Sequence, residues 1–507
     1  MVYVISLDVG TSSMRAILYN KYGEILVSFG YEYHTVFPRP SYVEQDPATW
    51  EYAAVKVLSD MAEYINDKGI FASVISVTSQ RASLIPVGAT GKPLYNAIMW
   101  QDKRTIDICH RLENEYGLKY LYRKTGLRVN PFFVLNKLIW LRENEPGIFA
   151  DSVKFVGVQD YVIHFLTGEY VTDWTQASRT MLMDLKELRW DEDLLRLAGI
   201  GADKLCRLDP PGTYAGKLLK TIADRCGLPS GLPVIISGGD QQNAALALGV
   251  TRPGMAEANT GTGSFLLSYT DKPVFDDECR VICQAGASAG SYVTETAIFN
   301  TGSIFRWFKE QFCPDYVEAD DPYDRMCQEA DKEVYDGDGI VMLPHFEGSA
   351  APNWNPKAKG VFFNLGLAST RGMMIRSIME GIALEIAENL ELMRSLIGDI
   401  DEVHVAGGMT RSDLFCSMQA SAYGTKVVRR RNPEASSLGA CCNAMVALGV
   451  YNSPEHFLAE IRTADNKGND EFLPDAKARS KYKSLMQKRK ALYSALDSNK
   501  VYDLFMS

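Results

Sequence analysis

Histidine is scarce in this chain. There are six among 507 residues, none paired at metal-ligand spacing, which argues against a histidine-based metal site or a catalytic triad. Long apolar runs are missing as well. No stretch approaches the roughly 18 residues a membrane helix needs, and the start Met1-Val2-Tyr3-Val4-Ile5-Ser6-Leu7-Asp8 lacks the basic flank and apolar run of a secretory leader. A cytoplasmic protein without a membrane partner is therefore expected. Excess positive charge is absent too: the net charge is −10, so no nucleic-acid partner is expected, since that would call for a basic footprint. Ten cysteines are present, but adjacent Cys441-Cys442 and the isolated pair Cys279-x3-Cys283 make neither a disulfide framework nor a zinc spacing, and the thiols read as reduced and buried. No Walker A sequence occurs, so any bound phosphate must be held by another device.

What remains is an ordinary globular composition, 46% apolar and 23% charged, spread over a length too great for one core. Two domains are predicted, residues 1–250 and 251–507.

The most informative stretch is Ser237-Gly238-Gly239-Asp240-Gln241-Gln242-Asn243. It follows a short apolar strand, Pro233 to Ile236, and leads into a small-residue helical run, Ala244 to Leu248. A carboxylate delivered to a strand end faces the crevice where α/β sheets bind ligands; from local pattern alone Asp240 could equally be a helix N-cap. The N-terminus reads as a β-meander, with Asp8-Val9-Gly10-Thr11-Ser12-Ser13 as its first turn. Such a turn can point amide hydrogens at phosphate oxygens, with Asp8 holding a magnesium ion through water, or be a plain hairpin. Half a chain later the pattern returns. Met255 to Ser268 is again strand, Asn259-Thr260-Gly261-Thr262-Gly263 turn, strand, an echo that suggests two domains of one design, each with a phosphate-cradling hairpin.

Between these landmarks, Asp46 and Pro47 predict the start of a helix running to about Asn66. The strand Ser73 to Thr78 delivers Arg81, a donor for polyol hydroxyls or a surface ion-pair partner. Trp100 is either a platform for the apolar face of a sugar or a core residue. Residues 131–144 predict an amphipathic helix, whereas 150–230 alternate short helical stretches and turns with no chemistry in them. In the second half, Gly302 opens a helix and Arg371 to Ile397 is a long core helix. Gly407-Gly408 sits at a strand-to-helix turn where backbone can approach an adenine or ribose, or simply turn tightly. The run Arg429-Arg430-Arg431 predicts a solvated strand edge, and the charged helical tail after Pro474 suggests no chemistry.

Together the motifs Asp8-Val9-Gly10-Thr11-Ser12, Trp100-Gln101-Asp102-x-Arg104, Gly238-Gly239-Asp240-Gln241, Asn259-Thr260-Gly261-Thr262-Gly263, Ala406-Gly407-Gly408 and Glu434-Ala435-Ser436-Ser437-Leu438-Gly439-Ala440 give the chain its family likeness. It resembles the FGGY carbohydrate kinases over nearly its whole length. The resemblance implies an α/β fold of two actin-like, ribonuclease-H-like ATPase domains flanking a central cleft, the first binding the sugar and the second ATP. It implies ATP-dependent phosphorylation of a sugar or polyol hydroxyl, with Asp240 as general base and with Arg81, Trp100, Phe132, Gln241 and Phe265 on the substrate. Gly10, Thr11, Ser12, Arg15, Thr262, Gly263, Gly302, Gly407, Gly408 and Ser412 would line the ATP site. Asp8 and Asp240 would lie near Mg2+, and a homodimer is an assembly the family allows.

The chain also departs from its family. Where the glycerol-kinase branch has a glutamate after the arginine, this chain has Ala82, and Phe132 stands in place of a tyrosine. The Met-His pair of the xylulose-kinase branch is absent at Arg81-Ala82. Losing a carboxylate and a hydroxyl deletes two polyol hydrogen bonds and opens volume, so the expected substrate is larger than glycerol: a four- to six-carbon polyol, a ketose such as xylulose, or the precursor sugar of a quorum signal. Glycerol itself is the alternative. The competing classes are a silent sugar or nucleotide sensor, against which Asp8 and Asp240 speak, and an actin-like or chaperone ATPase, whose ATP turnover would be indifferent to small polyols.

Overall fold

In a computed structural model of the chain, residues 1–316, 320–333, 339–430, 434–464 and 470–505 are described. They form two compact bodies. The first comprises residues 1–251, 270–293 and 434–466, the second 252–269, 294–433 and 467–507, so the chain leaves the first body and returns to it twice.

The first body is built on the opening meander. β1 (Tyr3–Val9), β2 (Ser13–Asn20) and β3 (Ile25–Glu32) pair antiparallel, β1 almost wholly buried and β3 with every second residue exposed, as suits a sheet edge. α1 (Pro47–Lys68) crosses over to β4 (Val74–Ser79), which lies parallel to β1. That helix starts where predicted: the Asp46 carboxylate accepts from the Ala48 amide, and Gly69 ends it in the left-handed conformation. Its buried stripe, Trp50, Ala53, Ala54, Val57, Leu58, Met61, Ala62 and Ile65, repeats at the helical period and packs into the core under the sheet. Then come α2 (Val134–Asn144), α3 (Val158–Thr167), β5 (Thr213–Lys217), β6 (Pro233–Gly239) and α4 (Asp240–Ala247). The sheet order is β5-β6-β4-β1-β2-β3, with β6 parallel to β4, the ribonuclease-H-like arrangement the sequence implies. The helix at 131–144 begins at Val134, later than expected, because Pro131 and Phe132 occupy the turn before it.

The second body repeats the design. β7 (Met255–Thr260) and β8 (Ser264–Thr270) form the second hairpin, followed by β9 (Tyr292–Ile298), α5 (Gly302–Phe312), α6 (Pro322–Lys332) and α7 (Arg371–Ile397). β10 (Glu402–Ala406), α8 (Asp413–Tyr423), β11 (Lys426–Arg429) and β12 (Asp470–Phe472) complete it, giving the strand sequence β9-β8-β7-β10-β11-β12. Here too an antiparallel hairpin is joined to parallel neighbours, β7 to β10 and β10 to β11. α7 spans the predicted residues and buries Ile375, Ile378, Met379, Ile382, Ile386, Leu390 and Met393.

One expectation fails. Arg429 is not solvated: it is 5% exposed, faces Asp470 across the β11–β12 pair, bonds that carboxylate, and also meets Asp413 at 2.7 Å. The neighbouring strand's acids pull it inward. Arg431 lies outside the described residues. All ten cysteines are free thiols, and all but Cys327 are buried. Among the described residues no helix is long and apolar enough to cross a membrane.

Within the first body the helix Ala435–Ala447 packs on α4 so tightly that a Cβ on Gly439 would lie 2.0 Å from the Asn243 carbonyl oxygen. Gly439→Ala must push two backbones apart, and we expect it to cost roughly 1–3 kcal/mol, as overpacking usually does. A thermal melt of the variant matching that of the parent would contradict this packing.

Candidate active site

The site begins where β6 ends. Pairing with β4 shifts register between Ile236 and Gly238, so the strand bulges just before the acid. Gly238 sits at φ +98, and a Cβ there would meet the Thr175 hydroxyl at 2.6 Å. Only glycine fits. The turn is held by a buried polar set: the Gly238 amide donates to Gln159 Oε1 at 3.0 Å and the Gly239 amide to Thr175 Oγ1 at 2.7 Å. Both supports are tied to the buried carboxylate of Asp173, by Gln159 Nε2 at 2.6 Å and Thr175 Oγ1 at 2.5 Å. Asp240 is thus the first residue of α4 and not its cap, which is Gly239. Its carboxylate stands at the N-terminal end of the helix, where Oδ1 accepts from the Gln241 amide at 2.8 Å.

Arg81 reaches this carboxylate from the end of β4. Its Nε is 3.4 Å from Asp240 Oδ1, while Nη1 donates to Gln242 Oε1 at 3.1 Å and Gln284 Oε1 at 3.2 Å. Gln242 Nε2 also donates to Gln284 Oε1, at 3.0 Å, so two neutral amides fix the guanidinium. The second glycine of the motif makes room: a Cβ on Gly239 would come within 2.5 Å of the Arg81 Cδ. In the same body the Trp100 indole donates to Thr11 Oγ1 at 3.1 Å and meets Phe132 edge-on, with ring centroids 5.8 Å apart. Gln241 carries a buried side-chain oxygen without a hydrogen-bond partner, an acceptor suited to a ligand hydroxyl.

The first hairpin closes through the Gly10 amide on the Ser13 carbonyl. Its outward carbonyls are occupied: that of Gly10 accepts from Tyr33 and Gln80, that of Thr11 from Gln45, and that of Ser12 from the Tyr33 amide. A turn with its carbonyls tied back repels an anion less. Asp8 and Arg15 are cross-strand partners, and Arg15 forms an ion pair with Glu434. Burial pushes the Asp8 carboxyl up to about 7, the charges of Asp240 and Glu434 adding to the rise and Arg15 opposing it.

In the second body a cavity of about 580 Å³ is lined by Thr260, Gly261, Thr262, Gly302, Gly408 and Ser412, with Met409 and the rings of Phe305 and Tyr323 on its walls. Those rings stack at 6.0 Å. The glycines divide into two kinds. Gly408 has open space around it, whereas Gly407, at φ +103, would drive a Cβ to 2.2 Å from the Thr260 carbonyl, and one on Gly263 would meet the Ile298 carbonyl at 2.6 Å. Gly407 and Gly263 shape the wall from behind. Ser412 caps α8, accepting from the Phe415 amide.

Of the residues singled out in the sequence, Arg81, Trp100, Phe132, Asp240, Gln241 and the Asp8–Arg15 hairpin belong to the first body, and Thr262, Gly302, Gly408 and Ser412 line the cavity in the second. Phe265 belongs to β8 of the second body, paired with Asn259. The expectation of no chemistry in residues 150–230 is corrected, since Gln159, Asp173 and Thr175 support the Asp240 turn. Asp173 could be read locally as a cap for the short helix that follows it, but no local signal ties it to Gly238. Gln284 has no sequence signal at all.

Comparison with known proteins finds two family domains along the chain, the second of which includes residues 270–293 and 434–448 of the first body. Residues 3–247 match the N-terminal domain and residues 256–448 the C-terminal domain of the FGGY family of carbohydrate kinases. The chain is 30% identical over 459 residues to a gluconokinase of Bacillus subtilis (strain 168), covering 89% of this chain and 88% of that one. It is 33% identical over 464 residues to a glycerol kinase of Thermococcus onnurineus, covering 89% and 90%. A xylulose kinase structure from Lactobacillus acidophilus superimposes with a TM-score of 0.91 at 24% identity over the full length of both chains, a likeness of fold.

The raised Asp8 value has a consequence for the protein without ligands. The folded state binds a proton there that the unfolded chain has already released above its ordinary 3.8, so stability falls as pH rises from about 4 through about 7. Thermal melts without nucleotide or metal should show this decline, and Asp8→Asn should flatten it. A variant as steep as the parent would remove Asp8 as its source.

Proposed function

The chain belongs to the FGGY family of carbohydrate kinases, and from that premise we propose that it transfers the terminal phosphate of ATP to a hydroxyl of a polyol or sugar larger than glycerol, with Asp240 as general base. The observation that carries this reading is the Asp240 carboxylate at the head of α4, 3.4 Å from the Arg81 guanidinium. A sugar hydroxyl is a poor nucleophile, and a carboxylate in hydrogen-bond reach takes its proton as the bond to phosphorus forms. Arg81 and Gln241 hold neighbouring hydroxyls, and the aromatic pair covers a carbon face. The rest of the work is orientation and charge stabilisation, which needs no covalent enzyme intermediate.

The nucleotide falls to the second body. Phe305, Tyr323 and Met409 offer an apolar wall to the adenine, and Gly408 with the cap of α8 offers backbone to the sugar and phosphates. In the first body the Gly10-Thr11-Ser12 turn and Arg15 face the transferred group. Magnesium fits the acidic side of this reading: Asp8 is held near 7 among other carboxylates, a situation a cation relieves. Among the described residues no three His, Cys, Asp or Glu side chains converge to hold a metal by themselves, so Asp8 and Asp240 would hold it through water. When bound, it would neutralise phosphate charge.

The substrate reading rests on Ala82 and Phe132 and on the amides around Arg81. With neither a glutamate nor a tyrosine hydroxyl at these positions, the pocket supplies fewer ligands for a three-carbon polyol. Asp240→Asn should lower kcat by roughly two to four orders of magnitude while leaving nucleotide binding intact, and near-normal turnover would move the base elsewhere. In a coupled ADP assay across glycerol, four- to six-carbon polyols, ketoses and gluconate, we expect the highest kcat/KM on a molecule larger than glycerol; glycerol turning over at least as well as all others would overturn the substrate class.

A further inference from the structure

Lys137 is fully buried in α2, a position where its neighbours Leu135, Leu138 and Leu141 are core residues. Its Nζ donates to the backbone carbonyl of Ala82 at 2.6 Å and to that of Phe132 at 2.8 Å. Ala82 directly follows Arg81, and Phe132 is the ring that meets Trp100, so both carbonyls belong to turns that carry residues of the proposed sugar site. We propose that Lys137 is a positioning residue that sets sugar selectivity by pinning the Arg81-Ala82 turn and the Phe132 turn to one nitrogen. The inference rests on the reading that Arg81 and Phe132 contact the substrate.

Three features separate this from a core contact. First, taking an amine out of water is costly, and a leucine or methionine would fill the same helix position without that cost. Burial brings the Lys137 amine down to about 7, so even the neutral form is accessible, and it still has two donors for the two carbonyls. Second, Ala82 lies at φ +64, a left-handed conformation that is strained for a residue with a Cβ. Something must hold that turn, and the bond to its own carbonyl does so. The turn sends Arg81 toward Asp240, while Ala82 packs into the cluster around α2. Third, the Phe132 turn is fixed from both sides, its amide donating to Asn130 Oδ1 at 3.1 Å and its carbonyl accepting from Lys137. Phe132 meets Trp100, which is tied to Thr11, so a loosened carbonyl would shift the aromatic face and the arginine together.

The test is Lys137→Met, which keeps length and apolar volume but donates nothing. With the best substrate from the panel, its sugar KM should rise at least tenfold, the ATP KM should stay within twofold, and the kcat/KM ratio between that substrate and glycerol should change at least fivefold. Adding Ala82→Gly, which occupies φ +64 without strain, should recover part of the sugar KM. If Lys137→Met does not fold, Lys137→Leu, which also donates nothing, serves in its place and the same shifts are expected. A variant with a lowered melting temperature but unchanged sugar KM and selectivity ratio would overturn the proposal. Arg81→Ala and Phe132→Ala, measured in parallel, separate the two ideas. If both leave the sugar KM unchanged the pocket reading itself falls, whereas if they raise it and the Lys137 variant does not, only the role of Lys137 falls.

Discussion

The first body depends on a close backbone approach at the end of one strand. Gly238 and Gly239 let the chain bulge, turn and start a helix in a space where any side chain would strike Thr175 or Arg81. Two amides freed by that irregular turn would be costly if left unbonded in the interior, and Gln159 and Thr175 satisfy them. Asp173, buried among its own donors, orients both. The geometry of the Asp240 turn therefore rests on a carboxylate that reaches it only through Gln159 and Thr175.

From this turn the remaining contacts follow in sequence. Asn243, one turn into α4, donates to the Ser237 carbonyl and to Thr78 Oγ1, which locks the helix to the sheet and sets the direction of the Asp240 side chain. Gly439 lets a second helix seat on the back of α4, and Ser6 and Ser76 bond the backbone of that helix from β1 and β4. Asp8 and Asp240 are thus delivered by adjacent layers of one polar core, which explains why Asp8 feels the charge of Asp240. The second body uses glycine in the same manner. Gly302 and Gly407 carry backbone against the β7 turn where a Cβ would clash, and the space left in front of them becomes the cavity.

Much of the scaffold was legible because its signals are local. The start of α1, the extent of α7 and the starts of both hairpins each follow from residues a few positions apart, and the structure has them where the pattern put them. The start of α2 was misjudged because helical periodicity extends into a turn that Pro131 keeps from being helical. Arg429 was misjudged for a different reason: three arginines in a row look solvated, and only the partner strand supplies Asp470 to bury one of them.

By itself, the sequence determined that an acid would stand at a strand end, that two Gly/Thr/Ser hairpins would repeat, and, through its motifs, which family's chemistry they serve. Tertiary structure decided what holds them. Gly239 and its support Thr175 are 64 residues apart, and Arg81 and Gln284 are 203 apart. A hydrogen bond over such a separation leaves no periodicity in either segment, because each partner is an isolated polar residue whose role exists only once the sheet has brought it to the same strand end. The same holds for Lys137, which in the sequence is a lysine on an amphipathic helix and in the fold is the nitrogen shared by the Ala82 and Phe132 carbonyls.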